Sequence, residues 1–182
     1  MKTFLGIDFG TTKTIVTRIQ EASRRDQIVV EIDGKKTVDT ALCLDAEDNV
    51  IFFGEKALDK IHEAPEDTFY NFKTAIGSGR IFHSSFKDYK PETLSLLFMT
   101  HLRQKIAIKY FNAPANAPDL STIPDLYCTI GCPAGWDEKK RRAIVNIAIE
   151  AGFPNVSYCD EPFGVICMNT PKSYSKHFMV IS

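Results

Sequence analysis

Apolar and polar residues alternate along the first third of the chain. "TFLGI" (3–7), "TIVTRI" (14–19) and "QIVVEI" (27–32) are rich in β-branched residues and separated by polar turns, a pattern that predicts consecutive antiparallel strands. Two shorter runs, "TALCLD" (40–45) and "NVIFFG" (49–54), flank the acidic turn Ala46-Glu47-Asp48 and read as a hairpin. From Glu55 the period lengthens, with Ala57, Leu58 and Ile61 sharing a helical face until Pro65 ends it.

A longer helix is predicted over residues 91–111. Pro91 suits a first turn, and Leu94, Leu97, Phe98, Leu102 and Ile106 recur at steps of three and four. The segment 112–124 has no period and is rich in Pro, Ala and Asn, so it reads as a surface connection. Beyond it, "DLYCTIGCPAGW" (125–136) predicts a strand ending at Pro133. Residues 137–152 predict a helix with acids in its first turn and Gly152 as its stop, and "NVSYC" (155–159) and "HFMVIS" (177–182) predict two further strands. Strand, helix and strand at this spacing imply parallel pairing added to the antiparallel meander, hence an α/β fold.

Composition narrows the class without deciding the chemistry. The 182 residues are 44% hydrophobic and 25% charged, with a net charge of −1, so no global basic field draws nucleic acid or membrane, and any anion site must be local. No run approaches the roughly 18 apolar residues of a membrane span and no signal-peptide core is present, so a cytoplasmic chain is expected. The cysteines at 43, 128, 132, 159 and 167 form no C-x-x-C pair and the four histidines are scattered. They read as buried apolar residues rather than as zinc or redox ligands.

The chemistry concentrates in "GIDFGTTKT" (6–14). A strand that ends in Gly-Thr-Thr and resumes at once is a tight β-turn-β whose backbone N–H groups can converge on an anion, with Gly10 permitting close approach. Asp8 at the strand end could hold Mg2+ through water, since magnesium keeps most of its hydration shell. The loop fits neither the G-x-x-x-x-G-K-[ST] nor the G-x-G-x-x-G pattern. On residues alone, a plain hairpin turn with a solvated aspartate explains it equally well.

The stretch resembles the first phosphate loop of the actin, sugar kinase and Hsp70 ATPase superfamily, and later stretches resemble the Hsp70 branch. "GEKA" (54–57) is similar to the segment after that family's small N-terminal sheet. "TFYNFKTAIG" (68–77) is similar to its Lys-x-x-Ile-Gly element, with Lys73 on the catalytic lysine. "CPAGWDEKKRRAIVNIAIEAGF" (132–153) follows its Val-Pro-Ala strand end and helix, with Pro133 and Arg141 on matching positions, and "CDEPFGVI" (159–166) follows its Asn-Glu-Pro motif, with Glu161 on the acidic residue.

The resemblance implies a ribonuclease H-like, actin-like lobe with a mixed five-stranded sheet flanked by helices. Residues 1–36 and 112–182 would form its core subdomain and 37–111 a smaller α+β peripheral one. It implies Mg-ATP and ADP as ligands, with Gly10, Thr11, Thr12 and Lys13 around the phosphates, Asp8 on the Mg2+ through water, and Lys73 and Glu161 ordering the attacking water. Its implied partners are a second ATPase lobe, a peptide-binding domain, and J-domain or nucleotide-exchange proteins.

Each residue keeps a plainer reading: Lys73 as a surface lysine, Glu161 as a first-turn acid, Arg141 on a solvated helix face or in an internal ion pair, Trp136 in packing. The sequence departs from the family at Lys13, at Gly135-Trp136, and at Phe163-Gly164, which points to a specialised relative. The family's second phosphate loop, Asp-x-Gly-Gly-Gly-Thr, would begin near Ser182. The 182 residues are therefore expected to be one lobe of a longer ATPase, inactive in hydrolysis alone. A sugar or acid kinase, or an actin-like filament subunit or nucleotide-sensing scaffold, are the alternatives within the superfamily.

Overall fold

The computed structural model describes residues 2–21 and 27–160. Glu161, the Glu-Pro segment and the strand expected at 177–182 lie outside the described residues.

The main sheet is built on β1 (Thr3–Phe9), which pairs antiparallel with β2 (Lys13–Gln20) on one side and parallel with β10 (Leu126–Cys132) on the other. A further parallel strand, β11 (Val156–Asp160), lies outside β10. The free side of β2 is shared between β3 (Ile28–Val29) and β4 (Val38–Asp39), giving the path β11-β10-β1-β2-β3 with β4 as a sixth strand. The expected mixed sheet is therefore present.

The strand expected over 27–32 is shorter than its alternation suggests. At Glu31 the backbone leaves the ladder, because the Tyr110 hydroxyl takes the Glu31 N–H at 2.7 Å and Lys109 Nζ donates to the Glu31 carbonyl at 2.8 Å. Satisfied from the side by the end of a helix, those groups have no call on a neighbouring strand.

A second, antiparallel sheet has the order β6 (Val50–Phe53), β5 (Ala41–Leu44), β7 (Thr68–Tyr70). Its β5–β6 turn is the predicted acidic one. Asp45 Oδ1 accepts from the backbone N–H groups of Glu47 and Asn49, a local closure that Asp favours in turns. Helix α1 (Glu55–Asp59) follows, and β8 (Phe82–His83) pairs with β9 (Asp88–Tyr89) in a small hairpin.

Helix α2 (Pro91–Phe111) has the predicted bounds, with Pro91 in its first turn and Asn112 closing it at φ 53°. Its buried arc is wider than the predicted stripe. Ser95 and Met99 are fully buried while Leu97 is half-buried, because α2 meets β6 of the second sheet and, through Phe98, Phe9 of the main one. Helix α3 (Glu138–Glu150) starts at Asp137, whose carboxylate accepts the Lys140 N–H at 2.8 Å, and ends at Gly152 with φ 89°. The connection 112–124 carries no strand or helix, as expected, yet its Leu120 is fully buried. Arg103 on α2 holds it by donating to the Pro118 carbonyl.

Period-two alternation places Leu5, Ile7 and Phe9 of β1 on the same side as Leu126, Ile130 and Cys132 of β10, facing the helices. These residues join Leu94, Phe98, Leu102 and Ile106 of α2 and Ile144 and Ile147 of α3 in one core. Aromatic rings carry that core from the main sheet into the second one. Phe9 stacks on Phe98 at 5.5 Å, Phe98 on Phe53 at 4.8 Å, and Phe53 lies 4.6 Å from His101.

Candidate phosphate-binding site

Because β1, β10 and β11 run parallel, their carboxyl ends reach the same end of the sheet. Open α/β sheets bind ligands at such an end, where loops leave the strands and backbone donors are not committed to a ladder. Asp8 stands in the last rungs of β1's ladder there and the 10–12 turn follows the strand, residues 133–136 follow β10, and Asp160 ends β11.

The turn after β1 is tied down rather than loose. The Thr40 N–H donates to the Thr12 carbonyl at 2.8 Å, the Thr40 hydroxyl donates to the Gly10 carbonyl at 2.9 Å, and Thr14 and Thr40 share a hydrogen bond of 2.9 Å. Thr14 and Thr40 are both buried. With two bonds to its carbonyls, from a threonine that Thr14 of β2 holds in turn, the turn has its conformation fixed from behind.

Gly10 is required there by space. A Cβ at this position would stand 2.1 Å from the Lys13 carbonyl oxygen, a backbone atom that cannot turn aside. Asp8 is exposed at the strand end, Thr11 half-buried and Thr12 exposed. Lys13 does not project its charge alone: Nζ lies 2.8 Å from Asp39, its register partner on β4.

Lys73 opens a single 3-10 turn, Lys73–Ala75, and is only 3% exposed. This removes the surface-lysine reading, since lysine is almost never buried without partners. Its Nζ lies 5.8 Å from the Phe9 ring centroid and 5.5 Å from that of Trp136. The cation from the 68–77 element thus reaches the carboxyl ends of β1 and β10, beside the residue that follows Asp8.

Arg141 settles between its two readings as an internal ion pair. Nη1 lies 2.6 Å from Asp160 Oδ1, while Nε donates to the Trp136 carbonyl at 2.9 Å and Nη2 to that of Ala134 at 3.1 Å. One guanidinium therefore joins the turn after β10 to the end of β11, using the fixed fork of donors that lysine lacks. Glu161 is next in the chain after Asp160 but lies outside the described residues.

Sequence reading misses Thr40 and the contact of Trp136 with Lys73. In sequence Thr40 merely opens a predicted strand, though it lies between β4 and β5, and nothing in its spacing marks it as the anchor of a turn thirty residues earlier. Trp136 carries a weak signal, as a large ring three residues past a strand-ending proline. Cys43, Cys128 and Cys132 are buried, and burial pushes the Cys128 thiol up to about 12, leaving it protonated and unreactive.

The donor set suits a polyphosphate with Mg2+. A turn with no Cβ at its centre, a solvent-facing carboxylate and a cation lie at one sheet end, and hydrated magnesium asks for few carboxylates. Among the described residues no helix is long and apolar enough to cross a membrane.

No protein-family profile matches the chain. Curated proteins do: it is 28% identical over 158 residues to the chaperone protein DnaK of Metamycoplasma hominis. The identity is 28% over 159 residues to DnaK of Mycoplasmopsis agalactiae and 27% over 158 residues to DnaK of Ureaplasma parvum. Each match covers 87% of this chain and 24% of the relative, so the chain spans about a quarter of the length of the curated relatives it matches. Across most of its length, then, the chain is DnaK-like in sequence, similar to the Hsp70 chaperones.

Proposed function

We propose that the chain is the first lobe of an Hsp70-like chaperone ATPase of the actin-like fold, acting in the cytoplasm. It holds one side of Mg-ATP, and a second lobe completes the site for hydrolysis to ADP and phosphate. Residues 1–36 and 112–182 serve as the core subdomain and 37–111 as the peripheral one. The observation that carries the reading is the meeting of the Gly10 turn and the buried Lys73 at the carboxyl ends of the parallel strands.

In this reading the N–H groups of Thr11, Thr12 and Lys13 bind the phosphates, Gly10, whose own N–H donates to the Asp8 carbonyl at 3.1 Å, lets the ligand approach, and Asp8 holds the hydrated Mg2+, which supplies charge neutralisation. Lys73 and Glu161 orient the water. Phosphoryl transfer depends mainly on such positioning and electrostatics. A peptide-binding domain, J-domain proteins and nucleotide-exchange proteins are the partners that the DnaK likeness suggests.

Calorimetric titration of the 182-residue chain with Mg-ATP tests the binding step. Weak binding is expected, lost in Gly10→Ala, and no heat at millimolar nucleotide overturns the reading. In the protein carrying both lobes, Lys73→Ala should lower the single-turnover hydrolysis rate about a hundredfold, the usual size for one electrostatic group. An unchanged rate removes Lys73 from the mechanism, and phosphoryl transfer to a sugar in place of water replaces the chaperone reading with a kinase.

A further inference from the structure

The sequence contains one tryptophan, and the fold sets it against Lys73, which is buried at the sheet end. Trp136 is half-buried in the turn after β10. Its backbone is fixed twice, by its N–H donating to the Pro133 carbonyl at 3.0 Å and by its carbonyl accepting from Arg141 Nε at 2.9 Å.

Across from it, Phe9 is fully buried and itself braced by Phe98 at 5.5 Å and Phe72 at 6.4 Å. The Lys73 ammonium lies within 6 Å of both ring centroids. At that range an aromatic quadrupole attracts a cation, most strongly when the cation is shielded from water and the ring is indole. A ring face restrains the position of the ammonium without fixing the direction of its N–H bonds.

We infer that Trp136 is a positioning residue: with Phe9 it forms a two-ring clamp that holds Lys73 where the polyphosphate tail is bound. This rests on the proposed nucleotide reading of the site. The clamp raises affinity for a ligand with a terminal phosphate by removing the freedom that a four-carbon side chain otherwise loses on binding. It also makes the indole a reporter, because an anion drawing on the ammonium changes the field at the ring.

A double-mutant cycle on Mg-ATP binding, with Trp136→Leu, Trp136→Phe and Lys73→Met, tests it by calorimetry. Trp136→Leu should weaken binding about fivefold and Trp136→Phe by less than twofold, in line with the strength of a shielded cation–π contact. In the Lys73→Met background Trp136→Leu should cost nothing further, whereas a packing role would cost the same in both backgrounds. Equal losses in the two backgrounds overturn the inference, as does unchanged binding in Trp136→Leu.

A readout free of nucleotide separates this from failure of the site reading. In NMR spectra of the ligand-free chain the ε-methylene protons of Lys73 should be shifted upfield by the rings, and Trp136→Leu should move them back toward ordinary lysine values. If that shift is present while Mg-ATP gives no binding heat, the nucleotide reading fails and the binding role of the clamp falls with it. If Mg-ATP binds but the shift is absent, the clamp alone is wrong.

Discussion

Thr40 shows how much one hydroxyl can fix. It donates to Gly10, shares a bond with Thr14, and its backbone N–H holds Thr12, so its loss leaves a half-buried acceptor and a buried hydroxyl without their partner. Thr40→Val should therefore cost about 1–3 kcal/mol, read as a lower urea midpoint, while Thr40→Ser should recover most of it. Equal stability of the valine variant would show that the turn does not depend on this bond. The sequence marks Gly10 and the two threonines of the turn because their types are unusual at a strand end. It leaves Thr40 unmarked because a threonine at the start of a predicted strand is ordinary and its partner is distant in the chain.

Among elements, α2 was the most legible, with its bounds announced by Pro91 and by a helical period that continued to Phe111. Its breadth of burial was not, since a stripe read from one helix cannot reveal that two sheets press on it. One consequence lies in His101, half-buried against Phe53 on this helix. Burial first, and then the positive charge of Lys105, lower its pKa from 6.5 to about 4, with Asp33 opposing weakly. The folded state thus holds a neutral imidazole at a pH where the unfolded chain would protonate it. Stability should be full above about pH 6.5 and should decline as the pH falls toward about 4, because the unfolded chain binds more protons in that window. Urea midpoints measured across this range should slope for the parent protein and flatten for His101→Gln. Parallel slopes would assign the acid sensitivity to other groups.

At the scale of the molecule, the parallel strands, the mixed sheet and the order of helices followed from local patterns, whereas the joining of the two sheets through Phe9, Phe98 and Phe53 did not. Aromatic residues at separate strand ends carry no sign of which ring they will meet. That shared core predicts one cooperative transition: thermal unfolding followed by Trp136 fluorescence and by far-UV circular dichroism should coincide. Two resolved transitions would mean that the region 37–111 melts by itself. The pairing of β1 with β10 has a different consequence, which concerns synthesis. The central strand leaves the ribosome early, but its parallel partner is made only after both β-hairpins and all of α2. Until then one edge of an apolar strand stays open, and long-range pairings of this kind form slowly and leave nascent chains exposed to aggregation. A chain that resembles a chaperone thus passes through a stage of its own birth in which it presents the kind of surface that chaperones cover.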